Sequence, residues 1–316
     1  MGLSWPWRVI ISLSDEEKLR RRELLDLRGS YAQWSVIVII VTLRIYRSWI
    51  VASGPVDGTS KSGRGLTSWW DRPLFAGWLE TRRQYLTCGL WLLWLLSLSM
   101  WNTGGGIYSF FFSLSHISSS SGFLHDYTEY LHLTKALGHV ALSQIPLQVL
   151  MSPAAYISSS NPSASSVFSF LTSVPQTTVT PFHRVFGRVV ISPLLLGHAT
   201  LYVQMFMQFS YPGYSSLFSK RVRDSDVQLG LIAVTALISL LLYVRPRAAR
   251  RKGEARAQLS AETIRRRRLY FYIGHVSIVV ILCTAAYFHV AQAQKYMAQT
   301  LGAFVLNGLC SLAMLR

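Results

Sequence analysis

Six long apolar runs, separated by clusters of charge, constrain this chain more than any other feature of its sequence. They cover residues 85–101, 137–158, 182–210, 228–244, 269–291 and 297–315. A helix needs about 20 apolar residues to cross a bilayer, so each run is close to or above the length of one span. A seventh run at 34–51 is interrupted by Arg44 and Arg47, and it either crosses the membrane or lies on its surface. The pattern predicts an all-α integral membrane protein, a bundle of six to seven transmembrane helices.

The composition agrees with a membrane protein and excludes an ordinary soluble enzyme. Only 14% of the 316 residues are charged, whereas a soluble domain has roughly 25%. The 31 basic and 14 acidic residues give a formal net charge of +17. The bases lie between the apolar runs, so we predict the lipid bilayer as the partner, and no nucleic acid. A charged N-terminal segment (1–31) precedes a single transmembrane domain (32–316).

The distribution of basic residues predicts the orientation of the bundle. The loop 245–268 contains ten basic residues and two acidic ones, which places it in the cytoplasm. One span separates the runs 182–210 and 269–291, so both run from the inside to the outside. The loop 102–131 then faces out. The same topology leaves three bases outside, against the usual rule: Lys220, Arg221 and Arg223.

Four histidines lie in the two parallel runs, His183 and His198 in one and His275 and His289 in the other. Their separations of 15 and 14 residues correspond to roughly 22 Å and 21 Å along a helix. One histidine of each helix would therefore meet its counterpart near each leaflet of the membrane. Two axial histidines per iron are the arrangement of a b-type haem, so we predict two stacked haem b sites. A hydrogen bond between helices is the alternative for any one of these histidines.

Several short segments resemble the fungal ferric reductase and NADPH oxidase superfamily. They are FHRVFGR at 182–188, the run from Arg267 to His289, QIPL at 144–147, the N-terminal LSDEEKLRRRELLDLRG and the closing Leu315-Arg316. The resemblance implies that 32–316 is a ferric-reductase-like transmembrane domain. It further implies that His183 and His275 bind the inner haem iron. His198 and His289 would bind the outer haem iron.

The same resemblance suggests roles for residues near the histidines. Arg184, Arg188, Arg267 and Arg268 would pair with the inner haem propionates, or else only anchor the helices at the cytoplasmic surface. Lys135 would serve the outer haem in the same way. Two glycines beside the inner histidines, Gly187 and Gly274, would let a flat porphyrin approach the backbone, or else are ordinary glycines of membrane helices.

The first histidine pair departs from the pattern of the family. The family keeps 13 residues between paired histidines, and here 14 lie between His183 and His198. On an ideal helix the 15 steps turn His198 about 60° away from the His183 face. Pro193 lies between them and removes a backbone hydrogen bond. We therefore predict a kink or a π-bulge near 189–193 that absorbs the extra residue.

The function that the resemblance implies is transmembrane electron transfer through two b-type haems, as the membrane component of a ferric or cupric metalloreductase. FAD and NADPH would act only through a separate cytoplasmic flavoprotein or a missing domain, because neither a flavin motif nor GxGxxG occurs. The acceptor would be a ferric or cupric complex or oxygen, and the plasma membrane is favoured over an internal one. A superoxide-producing oxidase component and a haem-free scaffold or transporter are the alternatives.

The remaining histidines have weaker interpretations. A cluster in the outward region would either dock a metal substrate or consist of polar loop residues; its members are His116, His125, His132, Asp126 and Glu129. His139 would contact the edge of a haem.

Overall fold

The computed structural model describes residues 14–52, 69–75, 80–101, 130–153, 165–243 and 261–313. Within these ranges the chain is helical, and its only β-pairing consists of two isolated bridges. The helices are α1 (Asp15–Ala52), α2 (Arg82–Met100), α3 (Tyr130–Ser143), α4 (Ile145–Leu150), α5 (Val167–Thr172), α6 (Gln176–Phe186), α7 (Ser192–Gln208), α8 (Leu217–Arg221), α9 (Ser225–Tyr243), α10 (Ala261–His289) and α11 (Ala291–Ala313). Each of the seven predicted apolar runs therefore contains a helix.

The apolar surface of the bundle is that of a membrane protein. Among the described residues, four helical segments are long and apolar enough to cross a bilayer: Lys18–Ile50, Gln176–Gln208, Ser225–Tyr243 and Arg266–His289. Large apolar side chains on these helices and on α11 are exposed, among them Trp49, Leu242, Phe288 and Leu301. Lipid solvates such a surface, whereas water does not. The fold is thus all-α and integral to the membrane, and the number of six to seven spans stays a prediction.

The run predicted at 137–158 is not a single helix. Helix α3 ends at Ser143, and α4 begins at Ile145 with Pro146 in its first turn. Proline has no amide hydrogen to continue the α3 ladder, so the chain breaks here and restarts. Helix α4 ends at Leu150, and residues 154–158 lie outside the described residues.

Helix α1 runs along the bundle instead of lying across it. Near its N-terminal end, Arg28 donates to Nε2 of His132 at 3.1 Å and to the backbone carbonyl of Trp101. Near its other end, Arg44 donates to the hydroxyl of Ser173. The 16 residue steps from Arg28 to Arg44 correspond to about 24 Å of helix. The predicted boundary between 31 and 32 falls inside this continuous helix, and that division of the chain stays a prediction.

A polar cluster, buried at His139 and Tyr296 and half-exposed at Asp26 and Lys295, fixes α1 against α3 and α11. The Tyr296 hydroxyl lies 2.8 Å from Nε2 of His139, which in turn lies 3.3 Å from a carboxylate oxygen of Asp26. Lys295 completes the cluster by an ion pair with Asp26 at 2.5 Å. Gly29 makes room for it, because a Cβ at this position would lie 1.9 Å from the Tyr296 hydroxyl. Hydrogen bonds of this kind join helices where no hydrophobic driving force does so.

We expect Gly29→Ala to loosen α1 and to lower the thermal stability of the purified protein. The new methyl group overlaps Tyr296, and overpacking of this kind costs about 1–3 kcal/mol. Gly89→Ala in α2 is the matched control, since a Cβ there meets nothing within 4 Å. Differential scanning fluorimetry in detergent compares the two variants, and equal melting temperatures would contradict the packing role of Gly29.

Candidate functional site

A π-helix joins α6 and α7 between the two histidines of the first pair. It covers Gly187–Ile191, directly before Pro193, and the amide of Ser192 donates to the carbonyl of Gly187 five residues earlier. The Ser192 hydroxyl donates to the same carbonyl at 2.6 Å. Proline lacks the amide that would bond Val189, and the wider turn absorbs one residue. The predicted π-bulge is confirmed. It brings the effective spacing of the first pair to that of the second.

The two helical segments that carry the four histidines meet in parallel register. The rings of His183 and His275 have centroids 6.4 Å apart, with a 70° angle between their planes. His198 and His289 follow at the other end of the same two segments. The segments themselves make little direct backbone contact within the described residues, because α7 packs mainly on α3 and α10 mainly on α9. The histidine side chains therefore reach towards each other across the space between the two segments.

The end of α4 orients His183. Nδ1 of His183 donates to the backbone carbonyl of Gln148 at 2.9 Å, and the Gln148 side-chain amide donates back to the carbonyl of His183 at 2.8 Å. The Gln148 carbonyl is free to accept because the amide of Ser152 bonds Val149 instead, as the helix ends before Pro153. With Nδ1 engaged as a donor, the other ring nitrogen, Nε2, is the one that can bind a metal.

The outer histidines share one arrangement on two different helices. Nδ1 of His198 donates to the carbonyl of Thr134 at 2.6 Å, and the same atom of His289 donates to the carbonyl of Asp226 at 2.5 Å. In each case a glycine follows the accepting residue by four positions. A Cβ on Gly138 would lie 3.1 Å from the His198 ring, and one on Gly230 would lie 2.9 Å from the His289 ring. Each imidazole thus lies directly on the backbone of a neighbouring helix.

His275 is oriented by aromatic packing. Its ring stacks on Phe271, one turn earlier, with centroids 5.7 Å apart, and Phe271 stacks on Tyr243 at 5.6 Å. Its Nδ1 is buried and has no hydrogen-bond partner among the described residues. The inner pair therefore combines one ring held by a carbonyl with one held by a stack.

A buried carboxylate forms ion pairs with Arg184 and Arg188, two of the four arginines predicted for the inner haem. Glu80, 5% exposed, lies 2.9 Å from a terminal nitrogen of Arg188 and 3.3 Å from Nε of Arg184. This contact was not predicted, because Glu80 lies in the segment before α2 and outside every apolar run. The two guanidinium groups and one carboxylate carry a net charge of +1, so some positive charge is left for an anion at this level.

The other predicted contacts of the inner level stay predictions. Arg267 and Arg268 are exposed on α10. The two glycines have protein side chains beside them: a Cβ on Gly187 would lie 2.9 Å from the Gln148 amide, and one on Gly274 would lie 2.5 Å from the Tyr243 hydroxyl.

The residues with weaker interpretations differ in where the structure places them. His132 is buried and accepts a hydrogen bond from Arg28, so it is neither a loop residue nor a surface ligand. His139 bonds Tyr296 and does not reach the four histidines. Lys135 is exposed on α3. The other four members of the outward cluster lie outside the described residues: His116, His125, Asp126 and Glu129.

The inner histidine pair fits a bis-imidazole metal centre. Two metal–nitrogen bonds of about 2 Å on opposite sides of one ion place the ring centroids about 6 Å apart. The observed 6.4 Å agrees with this separation. The neutral imidazole with Nδ1 bonded to a carbonyl is the usual form of a metal-binding histidine. The described residues contain no group of three or more His, Cys, Asp or Glu side chains suited to a metal ion. Two histidines are enough to ligate a haem iron, because the macrocycle supplies the remaining ligands.

Comparison with known proteins assigns the class and then the family. Residues 137–286 match the family described as ferric reductase like transmembrane component. This range, just under half of the chain, is similar to a ferric reductase-like transmembrane domain, which supports transmembrane electron transfer by a reductase or oxidase component of a multi-pass membrane protein. The matched range includes His183, His198 and His275 and ends shortly before His289. No curated protein and no solved structure matches the chain.

We expect Glu80→Gln to destabilise the protein, because both arginines lose a buried charged partner. The loss should be on the order of 2 kcal/mol, as for hydrogen bonds to charged groups. Asp71→Asn is the matched control: its carboxylate pairs with Arg83 at 3.3 Å in an exposed position, where such a pair contributes less than about 1 kcal/mol. Melting temperatures in detergent compare the two, and a larger loss for Asp71→Asn would disprove the role given to Glu80.

Proposed function

We propose that this protein is the membrane component of a ferric or cupric metalloreductase and that it binds two b-type haems. His183 and His275 are the axial ligands at the inner level, and His198 and His289 are the axial ligands at the outer level. When bound, the two haems supply one-electron carriers at two depths of the membrane. The plasma membrane is the favoured location.

The observation that carries the proposal is the register of the two histidine-bearing segments. One π-turn compensates for the extra residue between His183 and His198, and His183 lies beside His275. In the same register we expect His198 to lie level with His289. A single intramembrane histidine is explained by a hydrogen bond between helices. Here the four histidines form two pairs, and the register of the pairs depends on the π-helix at Gly187–Ile191. A ligand shared by the two histidines of each pair explains this register.

The protein side chains have three tasks in this function. Backbone carbonyls accept from Nδ1 of His183, His198 and His289 and leave Nε2 of each ring available, and a stack on Phe271 holds His275. Apolar side chains around the bundle exclude water from both levels. Arg184 and Arg188, which already share Glu80, provide the positive charge available to haem propionates at the inner level, with Arg267 and Arg268 further out on α10. Lys135 would contribute a positive charge at the outer level.

The electron donor and acceptor come from outside the described helices. We propose that FAD and NADPH act through a cytoplasmic flavoprotein or flavin domain that meets the inner end of the bundle, where the basic residues of α10 lie. A ferric or cupric complex accepts the electron at the outer end. Electron consumption that depends on a metal complex would indicate a metalloreductase, and consumption that depends on oxygen would indicate a superoxide-producing component.

The test is a reduced-minus-oxidised absorbance spectrum with haem counted per chain. We expect two b-type haems in the wild type and one in each of His275→Ala and His289→Ala. His139→Gln is the control, because this buried histidine bonds Tyr296 and should leave both haems in place. A folded wild-type protein without haem would end the reductase proposal in favour of a scaffold or transporter.

We also expect Gly230→Ala to weaken the outer site alone. The new Cβ would lie 2.9 Å from the His289 ring, so the ring must move away from the carbonyl of Asp226. Gly302→Ala in α11, where a Cβ meets nothing within 4 Å, is the control. Redox titration should show one changed and one unchanged haem. Two unchanged haems would mean that the glycine does not position His289.

A further inference from the structure

The three bases on the predicted outer side of the bundle are engaged in local contacts. Lys220 pairs with Asp224 at 3.5 Å, and Arg223 lies over the ring of Tyr214. Arg221, at the end of the short helix α8, has the most partners. Each of the three bases, which lie outside against the positive-inside rule, therefore has a partner among the neighbouring side chains.

Arg221 bonds three side chains from two directions. One terminal nitrogen lies 2.5 Å from a carboxylate oxygen of Asp224. The other lies 3.1 Å from a carboxylate oxygen of Asp226 and 3.4 Å from the hydroxyl of Tyr202. The hydrogen bond to Tyr202 raises the pKa of the Arg221 guanidinium, and the two carboxylates raise it further, so the group stays charged. The planar fork of arginine suits such simultaneous contacts.

Two of these partners lead directly to the outer histidines. Tyr202 follows His198 by one turn of α7, and their ring centroids are 6.2 Å apart. Asp226 accepts the Nδ1–H of His289 at its backbone carbonyl while its carboxylate binds Arg221. A single guanidinium thus connects the residue packed beside one outer histidine with the residue bonded to the other.

We propose that Arg221 is a positioning residue of the outer histidine pair, which sets the orientation of His198 and His289 relative to each other. This inference rests on the proposed function, since the pair is taken to bind one haem. Arg221 touches neither histidine itself. It acts through Tyr202 on α7 and through Asp226 at the start of α9, and it has no corresponding contact at the inner level.

Electron paramagnetic resonance of the oxidised, haem-loaded full chain tests the proposal. The low-spin ferric signal of a bis-imidazole haem depends on the angle between the two ring planes, so it reports ligand orientation and not stability. His275→Ala and His289→Ala assign the two signals to their sites. We expect Arg221→Gln to shift the outer signal and to leave the inner signal unchanged. Arg223→Gln, in the same loop, is the matched control and should shift neither.

Asp226→Asn separates positioning from charge. It breaks the same bridge from the other end and leaves the backbone carbonyl in place. A nearby cation favours the reduced haem, because its iron carries one positive charge fewer than the oxidised iron. Loss of the cation at Arg221 should therefore lower the midpoint potential of the outer haem, and loss of the anion at Asp226 should raise it. If Arg221 acts by position, both variants shift the same outer signal. The proposal would be overturned if the two variants changed the midpoint potential in opposite directions while the outer signal stayed in place in both.

A third variant covers poor recovery of Arg221→Gln. Arg221→Lys keeps the charge but replaces two guanidinium nitrogens, one on Asp224 and the other on Asp226 and Tyr202, by a single ammonium nitrogen. It should therefore shift the outer signal with little change in potential. An unmoved outer signal in both Arg221→Lys and Asp226→Asn would refute positioning. A wild type without haem would instead refute the proposed function, so the two failures are distinct.

Discussion

Hydrogen bonds from histidine Nδ1 to backbone carbonyls determine the geometry of this site. A carbonyl inside a helix is normally occupied by its own ladder, so the chain must provide one that can accept a further bond. At Gln148 the end of a short helix before Pro153 leaves the carbonyl free. At Thr134 and Asp226 a glycine one turn later lets the imidazole approach the helix closely. Two different features of the backbone thus give the same result, a ring with its Nε2 available.

The polar contacts of the bundle fall into two groups with separate tasks. One group orients His183, His198 and His289 through α4, α3 and α9. The other joins α1 to α3 and α11 through Asp26, His139 and Tyr296 and does not include any of the four histidines. At the opposite end of α11, Asn307 accepts from the amide of Val167 and donates to the carbonyl of Val149, which joins α11 to α4 and α5. Changes in the second group should therefore affect the packing of helices more than the candidate ligands.

The sequence predicted the features that depend on spacing along one helix. The apolar runs, the histidine register and the distortion before Pro193 all follow from helix periodicity, which the sequence contains directly. Glu80 could not be predicted as the partner of Arg184 and Arg188, because about a hundred residues separate them and ion pairing across helices has no periodic signal. The glycines show the same limit. Gly187 and Gly274 lie beside inner histidines in sequence, yet Gly138 and Gly230 are the ones that contact histidines, from other helices. For Arg221 the signal was an anomaly, a base on the wrong side of the predicted topology.

The pairing of Glu80 with two arginines bears on how the protein is made. Arginines without an anionic partner are costly to place at the edge of a membrane, and a cofactor that arrives late could not neutralise them during insertion. Because the chain supplies its own carboxylate, α2, α6 and the π-turn can assemble around a satisfied ion pair while the polypeptide is still empty. For the haem protein proposed above, the helices could then pack first and the cofactor could enter a bundle that already has its shape.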